Sequence, residues 1–334
     1  QRWCRRGLEP QEKTLRGGTL VTEKKRAGPL QGADRKMDIS MASLAPVGQQ
    51  LLVGLSRSTL LFTVCSGLTL VLGVLRIPNV FHGSLYMIGA FLAYSLSVAM
   101  GGGTAGFWLA VVGAPLGVAL ISLIVERGLF CRLYDREHLM LLLFTFAFML
   151  IFADLVKLIW GSQYRSMSPP DMLAGYINVF GGLPFPKYNL FLLGVGPLVA
   201  LGLWLLNHKT KIGKIARAAA VDRDMVAAMG INVSWVFAAV FVIGCFLAGL
   251  GGALVAPTQN ITQGMDHTLI IEAFLIVVMG GLGNIWGSLL GALIFGLTHS
   301  MGMLIIPQFA IVLPYLATVI VLLFRPKGLL KATW

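Results

Sequence analysis

The sequence predicts an all-α, polytopic integral membrane protein of about eight transmembrane helices, and three observations carry that expectation. Of 334 residues, 57% are hydrophobic and 12% charged, with a mean hydropathy of +0.81. Soluble domains carry about 25% charged residues, so a water-soluble fold of this length could not cover itself with so few. Second, the apolar residues gather into runs near the ~20 residues that a spanning helix needs. Third, the ~10-residue alternating segments of a membrane β-barrel are not what the pattern shows. The same composition excludes disorder for most of the chain.

The elements follow in order. Residues 1–36 have no hydrophobic period and hold ten Lys/Arg against four Asp/Glu. No apolar run follows the early arginines, so the segment is not a secretory signal peptide. It reads either as a disordered basic tail or as a non-native extension from a displaced start, with Met37 or Met41 as the alternative. Long apolar segments then run over Thr59–Leu75, Tyr86–Met100, Phe107–Val125, Leu139–Trp160, Leu190–Leu206, Trp235–Pro257, Gly287–Ile306 and Ala310–Phe324. A shorter one, Leu269–Met279, ends in a glycine-rich turn.

Charge orients them. Of sixteen Lys/Arg after residue 36, eleven lie in three places: Arg127, Arg132 and Arg136; Lys209, Lys211, Lys214, Arg217 and Arg223; and Arg325, Lys327 and Lys331. The loops around 161–189 and 257–268 offer only Arg165 and Lys187. The positive-inside rule makes the first set cytoplasmic and, with it, the C-terminus. Counting back, two early full crossings would put the basic N-terminus outside. A non-native tail combined with a broken second helix removes that conflict.

The pI near 9.8 is explained by these loops, and nucleic acid is not an expected partner. Cys4, Cys65, Cys131 and Cys245 form no C-x-x-C pair, and the histidines show no metal-ligand spacing. The sequence lacks a G-x-x-x-x-G-K-[ST] phosphate loop, so no cofactor is expected on this chain and ATP hydrolysis would have to come from another.

Two interruptions stand out. The stretch 76–84 (RIPNVFHGS) breaks one apolar region, and 280–288 (GGLGNIWGS) breaks another. Asn79–Leu85 can be laid over Asn284–Leu289, each followed by Gly-Ala. Paired interruptions in a transporter mark its central pathway; the competing reading is glycines that let helices pack closely, as at Gly113/Gly117 and Gly283/Gly287. Asn79, His82, Gly83, Asn284 and the acid Glu272 are the pathway candidates. For Glu272 the alternative is a carboxylate held near a helix N-terminus. Asp154 and Lys157, three apart, are expected to pair, while Arg57 and Arg76 are expected to snorkel to headgroups.

The loop within 207–232 (GKIARAAAVDRDMVAAMGIN at 213–232) is rich in Ala and Met, hence helix-prone, with Gly230 as a natural stop. Its few Glu and Lys favour docking on another protein over a solvated surface helix.

Here the sequence resembles a known family: the permease subunits of bacterial ABC importers for branched-chain amino acids, specifically the shorter of two paired permeases. The similarity runs over about 47–330. It rests on Gly67-Leu68-Thr69 through Arg76-Ile77 with Asn79 and His82-Gly83, and on the loop from Gly213 through Arg217-Ala218 to Gly230-Ile231-Asn232. Further matches are Gly249–Gly252, Glu272-Ala273-Phe274 with Gly280–Gly283, and Arg325–Leu329. The resemblance implies a transmembrane domain with an ATPase-coupling loop, for which Gly213, Arg217, Asp222, Gly230 and Ile231 are the candidates. It also implies a homologous second permease, two cytoplasmic ABC ATPases that use the ATP, a periplasmic substrate-binding protein, and residence in the bacterial inner membrane. Alternating access would carry the substrate. Urea or another small polar solute is the alternative cargo; ion-coupled secondary transport would need more intramembrane acids than Asp154 and Glu272 provide.

Overall fold

The computed structural model describes the backbone of residues 31–133, 137–179 and 183–331, and the side chains of these apart from 31–45, 138 and 183. Most of the basic N-terminal extension and Arg136 lie outside the described residues. The chain divides into two units at residue 42; in the first, the described backbone, from residue 31, is helical. The second is the helical bundle.

In chain order the helices are α1 (Gln31–Leu75), α2 (His82–Ala99), α3 (Gly103–Gly128), α4 (His138–Trp160), α5 (Lys187–Lys209), α6 (Lys211–Val221), α7 (Arg223–Ala228), α8 (Val233–Val255), α9 (Met265–Gly280), α10 (Ile285–Ile305) and α11 (Val312–Phe324). A small antiparallel hairpin, β1 (Tyr176–Val179) with β2 (Leu183–Pro186), precedes α5. Among the described residues six helical segments are long and apolar enough to cross a membrane: Pro46–Leu75 within α1, Gly103–Arg132, which continues α3, and α4, α5, α8 and α10. The remaining expected runs become the shorter helices α2, α9 and α11. The chain is therefore an all-α, multi-pass membrane protein.

Helix α1 is the axis of the bundle. Within its spanning segment 89% of the apolar window is buried in protein, against 22% for α4 and 28% for α5. The outer faces of α3, α4 and α5 present Leu116, Leu120, Leu143, Leu158 and Leu198, side chains suited to hydrocarbon. Close approach replaces large side chains at the crossings. A Cβ on Gly89 would stand 2.6 Å from the Gly249 carbonyl oxygen, so α2 and α8 meet backbone to backbone.

Two elements do not cross in full. Helix α1 ends where Arg76 takes a positive φ of 55°, two residues before Pro78. The chain is then irregular until His82. His82 Nε2 donates to the Val64 carbonyl inside α1 at 3.1 Å, and Ser84 Oγ to Met149 O at 3.3 Å, a position halfway along α4. Helix α2 thus begins inside the bundle. It runs to the end where α4 finishes, since Trp160 Nε1 donates to Ser95 Oγ at 2.6 Å. Helix α9 begins beside it, because a Cβ on Gly83 would lie 2.7 Å from Asp266 O. Its far end is held by the C-terminal tail, with Leu329 N donating to Met279 O and Leu330 N to Gly280 O. Two short helices therefore start side by side and run to opposite ends.

In space the break at 76–81 faces the connection at 256–264, whereas the glycine turn at 281–284 that the sequence aligns with it lies at the other end of α9. Irregular backbone at this depth persists only because it is enclosed by protein. Phe81 is wedged against Phe148 and Phe152 of α4, with ring centroids 5.7 and 4.8 Å away.

Candidate functional site

One end of the bundle gathers the basic segments. Arg76 Nη2 donates to Ala220 O of α6 at 2.9 Å, and the Arg127 guanidinium lies 3.7 Å from the centre of the Trp235 ring at the start of α8. Asn207, Arg217 and Ile285 line one small cavity. The opposite end is tied by backbone hydrogen bonds between Arg165 and Ile261 and by Gln263 Nε2 donating to Gly161 O at 2.7 Å. Arg76 is exposed and spends one donor on this carbonyl.

At the basic end the coupling candidates form a frame. Thr210 caps α6 by accepting from Gly213 N at 3.1 Å, and Gly213 is buried against the Leu206 and Asn207 backbone, where a Cβ has no room. Asp222 caps α7 by accepting from Met225 N at 2.9 Å. Gly230 takes a φ of +80° to stop the helix, and Ile231, partly buried, packs on the core. Arg217 is half-buried beside Trp204, Asn207 and His208. Among the side chains left outward are Val221, Met225 and Met229, 71%, 63% and 73% exposed, with exposed Asp222, Arg223 and Asp224 between the first two. Val221 ends α6 and Met225 and Met229 lie within and just after α7, so they are separate apolar side chains on either side of the extended Asp222; sequence reading passed over them because it weighed charge and glycine more.

A cavity of about 650 Å³ lies toward the opposite end, between α1, α5, α9 and the 256–264 connection. That volume is within the roughly 300–1,000 Å³ of small-molecule sites. One wall carries Arg57 and Glu272, joined at 3.1 Å from Nη2 to Oε1. Gln259, Asn260 and Gln263 supply amides, and Leu60, Leu192, Val255 and Leu269 an apolar face. Arg57 is therefore not a headgroup anchor. Glu272 is the eighth residue of α9, too far along to be held by the helix N-terminus. Sequence reading places Arg57 just outside the run Thr59–Leu75 and takes it for a headgroup contact; its signal for function is a charge within a spanning helix.

The other pathway candidates sit elsewhere. Asn79 and His82 are fully buried at the start of α2, and Asn79 Oδ1 and Nδ2 and His82 Nδ1 have no hydrogen-bond partner among the described residues. Gly83 makes the approach to α9. Asp266, fully buried in the first turn of α9, accepts from Ser84 Oγ at 3.4 Å, so its carboxylate lies where the two helix N-termini converge. Sequence reading missed it. Asn284 belongs to a different structure: it caps α10, accepting from Gly287 N at 3.0 Å, and donates to Lys331 O at 2.7 Å. Exposed Asp154 and Lys157 form no ion pair with each other.

The comparisons with known proteins agree with this architecture. The family model described as "Branched-chain amino acid transport system / permease component" matches residues 50–323. The high-affinity branched-chain amino acid transport system permease protein BraD of Pseudomonas aeruginosa is 30% identical over 294 residues, covering 84% of this chain and 95% of its own. Its counterpart LivH of Escherichia coli K12 is 26% identical over 295 residues, covering 84% and 94%. A probable branched-chain amino acid transport permease protein LivH of Methanocaldococcus jannaschii is 29% identical over 258 residues, covering 73% and 77%. A match over most of the chain, on a bundle of spans with enclosed helix breaks, places this protein in the branched-chain amino acid transport system permease family.

Proposed function

We propose that this chain is the membrane-spanning permease of an ABC importer, passing branched-chain or related amino acids by alternating access while a separate ATPase subunit supplies the energy. The observation that carries this reading is the separation of two features in one bundle. A polar-walled cavity with an apolar face lies toward one end, and two short helices with exposed apolar side chains stand at the other. Exposed Val221, Met225 and Met229 suit a protein partner, since methionine is enriched at protein interfaces. Their place at the basic end makes that end and the C-terminal tail cytoplasmic. A homologous second permease, two ATPases and a periplasmic binding protein complete the assembly in the inner membrane, and ATP belongs to the ATPases.

In this mechanism α6 and α7 take up the ATPase motion. Gly213 transmits it because its backbone lies directly on α5, with no side chain between. Arg76 links the same segment to the end of α1, whose spanning part carries Arg57 into the cavity wall. Coupling requires only that the two states differ in contacts at both places.

The test uses the assembled complex in proteoliposomes with its binding protein. Met225→Asp places a charge on the outward side of α7 and is expected to reduce leucine-stimulated ATP hydrolysis by about tenfold or more, the loss typical of an interface anchor. Arg217→Glu is expected to act in the same direction. Full stimulation in both variants would remove α6 and α7 from coupling.

A further inference from the structure

We propose that Arg57 and Glu272 form the subsite for the charged head of a zwitterionic amino acid, with Leu60, Leu192, Val255 and Leu269 receiving its aliphatic side chain. This deepens the amino-acid reading above and rests on it. Arg57 presents five donors and spends one, Nη2, on Glu272 Oε1; its Nε is buried without a partner. Glu272 Oε2 accepts no hydrogen bond among the described residues. The pair is half-spent on both sides, and Thr268 and the amides of the 256–264 connection share its cavity.

Charge balance gives the pair its use. Ion pairs within a membrane bundle are costly, and an apolar pair of similar volume packs at least as well. A zwitterion resolves the cost in both states. Empty, the two side chains neutralise each other. Loaded, the substrate carboxylate takes the fork of Arg57 and its ammonium takes Glu272, so the wall remains neutral. A carboxylic acid or an amine alone would leave one charge unmatched, and uncharged urea would match neither. Exchange of one pair for two also keeps net affinity low, as a pathway that must release its cargo requires.

The experiment places a cysteine at Thr268, which is exposed to the cavity, in a Cys4→Ser/Cys131→Ser background of the assembled complex. Cys65 and Cys245 are buried. The rate of maleimide labelling on this chain is measured with leucine, isovalerate or 3-methylbutylamine. Leucine is expected to slow labelling about fivefold or more and the two single-charge analogues to leave it unchanged, as unmatched charge predicts. Arg57→Met and Glu272→Gln, checked for stoichiometric co-purification with the ATPase, are expected to lose the leucine effect. The reversed pair Arg57→Glu/Glu272→Arg restores the ion pair but inverts the site, and leucine uptake is expected to stay low. Recovered uptake in the reversed pair, or protection surviving in Arg57→Met, would show a packing element and overturn the proposal. Normal leucine import by the wild-type complex without any protection would overturn the subsite alone. No import by the wild-type complex would overturn the transport reading itself.

Discussion

At 76–81 the chain breaks inside the bundle and leaves its asparagine side chain without a partner among the described residues; at 281–284 it breaks at the basic end and bonds its asparagine side chain twice. The Asn79 amide lies fully buried with neither atom partnered among those residues, whereas Asn284 caps α10 and holds the tail through Lys331 O. The second break is also laced by backbone hydrogen bonds from Leu329 and Leu330. One break is closed and built for stability. The other retains a cost of about 1–3 kcal/mol per buried unsatisfied group.

Substitutions can break this contrast, beginning with the largest. Gly280→Val places a side chain against the Gly287 backbone, where even a Cβ has no room. Overpacking of rigid backbone costs about 1–3 kcal/mol or more, so the purified complex is expected to lose melting temperature sharply or fail to assemble. Normal assembly would mean that the closed break yields as easily as the open one. Gly83→Ala comes next: its Cβ would lie 2.7 Å from Asp266 O and 3.1 Å from Ile270 Cβ. About 1–3 kcal/mol is again expected, with α2 and α9 forced apart and leucine uptake reduced. Asn284→Ala removes a cap, worth about 0.5–2 kcal/mol, and frees the tail. Faster amide exchange at Leu329 and Leu330, with uptake largely kept, is the expected signature.

Much of this was legible in residues alone. Apolar runs located the spans, and Pro78 with Gly83 located the first break. In the sequence Asp222 reads as a coupling residue and Asn284 as a pathway residue, whereas both cap helices. What could not be read was which break faces which. Asn79–Leu85 and Asn284–Leu289 share letters, yet the residues opposite α2 are Gly264 to Asp266, whose only local signals are one glycine and one acid. The cavity was half legible: Glu272 was conspicuous, but its partner Arg57 lies 215 residues away, a separation that no local pattern reports. Hairpin β1–β2 was invisible for a different reason: four-residue strands carry too little alternation to detect.

Asn79→Leu has the smallest expected effect on stability and sharpens the comparison most. Leucine is close to asparagine in size and removes the two unpartnered atoms, so the conformation seen here is expected to gain about 1 kcal/mol and the melting temperature to rise slightly. Under alternating access that gain is one-sided. If the amide finds partners when the bundle opens to the other end, the variant stabilises one state alone, shifts the equilibrium toward it by about tenfold per 1.4 kcal/mol, and slows uptake while the ATPase remains bound. Asn284→Leu, by contrast, is expected to lower the melting temperature. A lower melting temperature for Asn79→Leu as well would show its amide to be bonded in this state. The two breaks would then be alike, and the first would have no energetic reason to move.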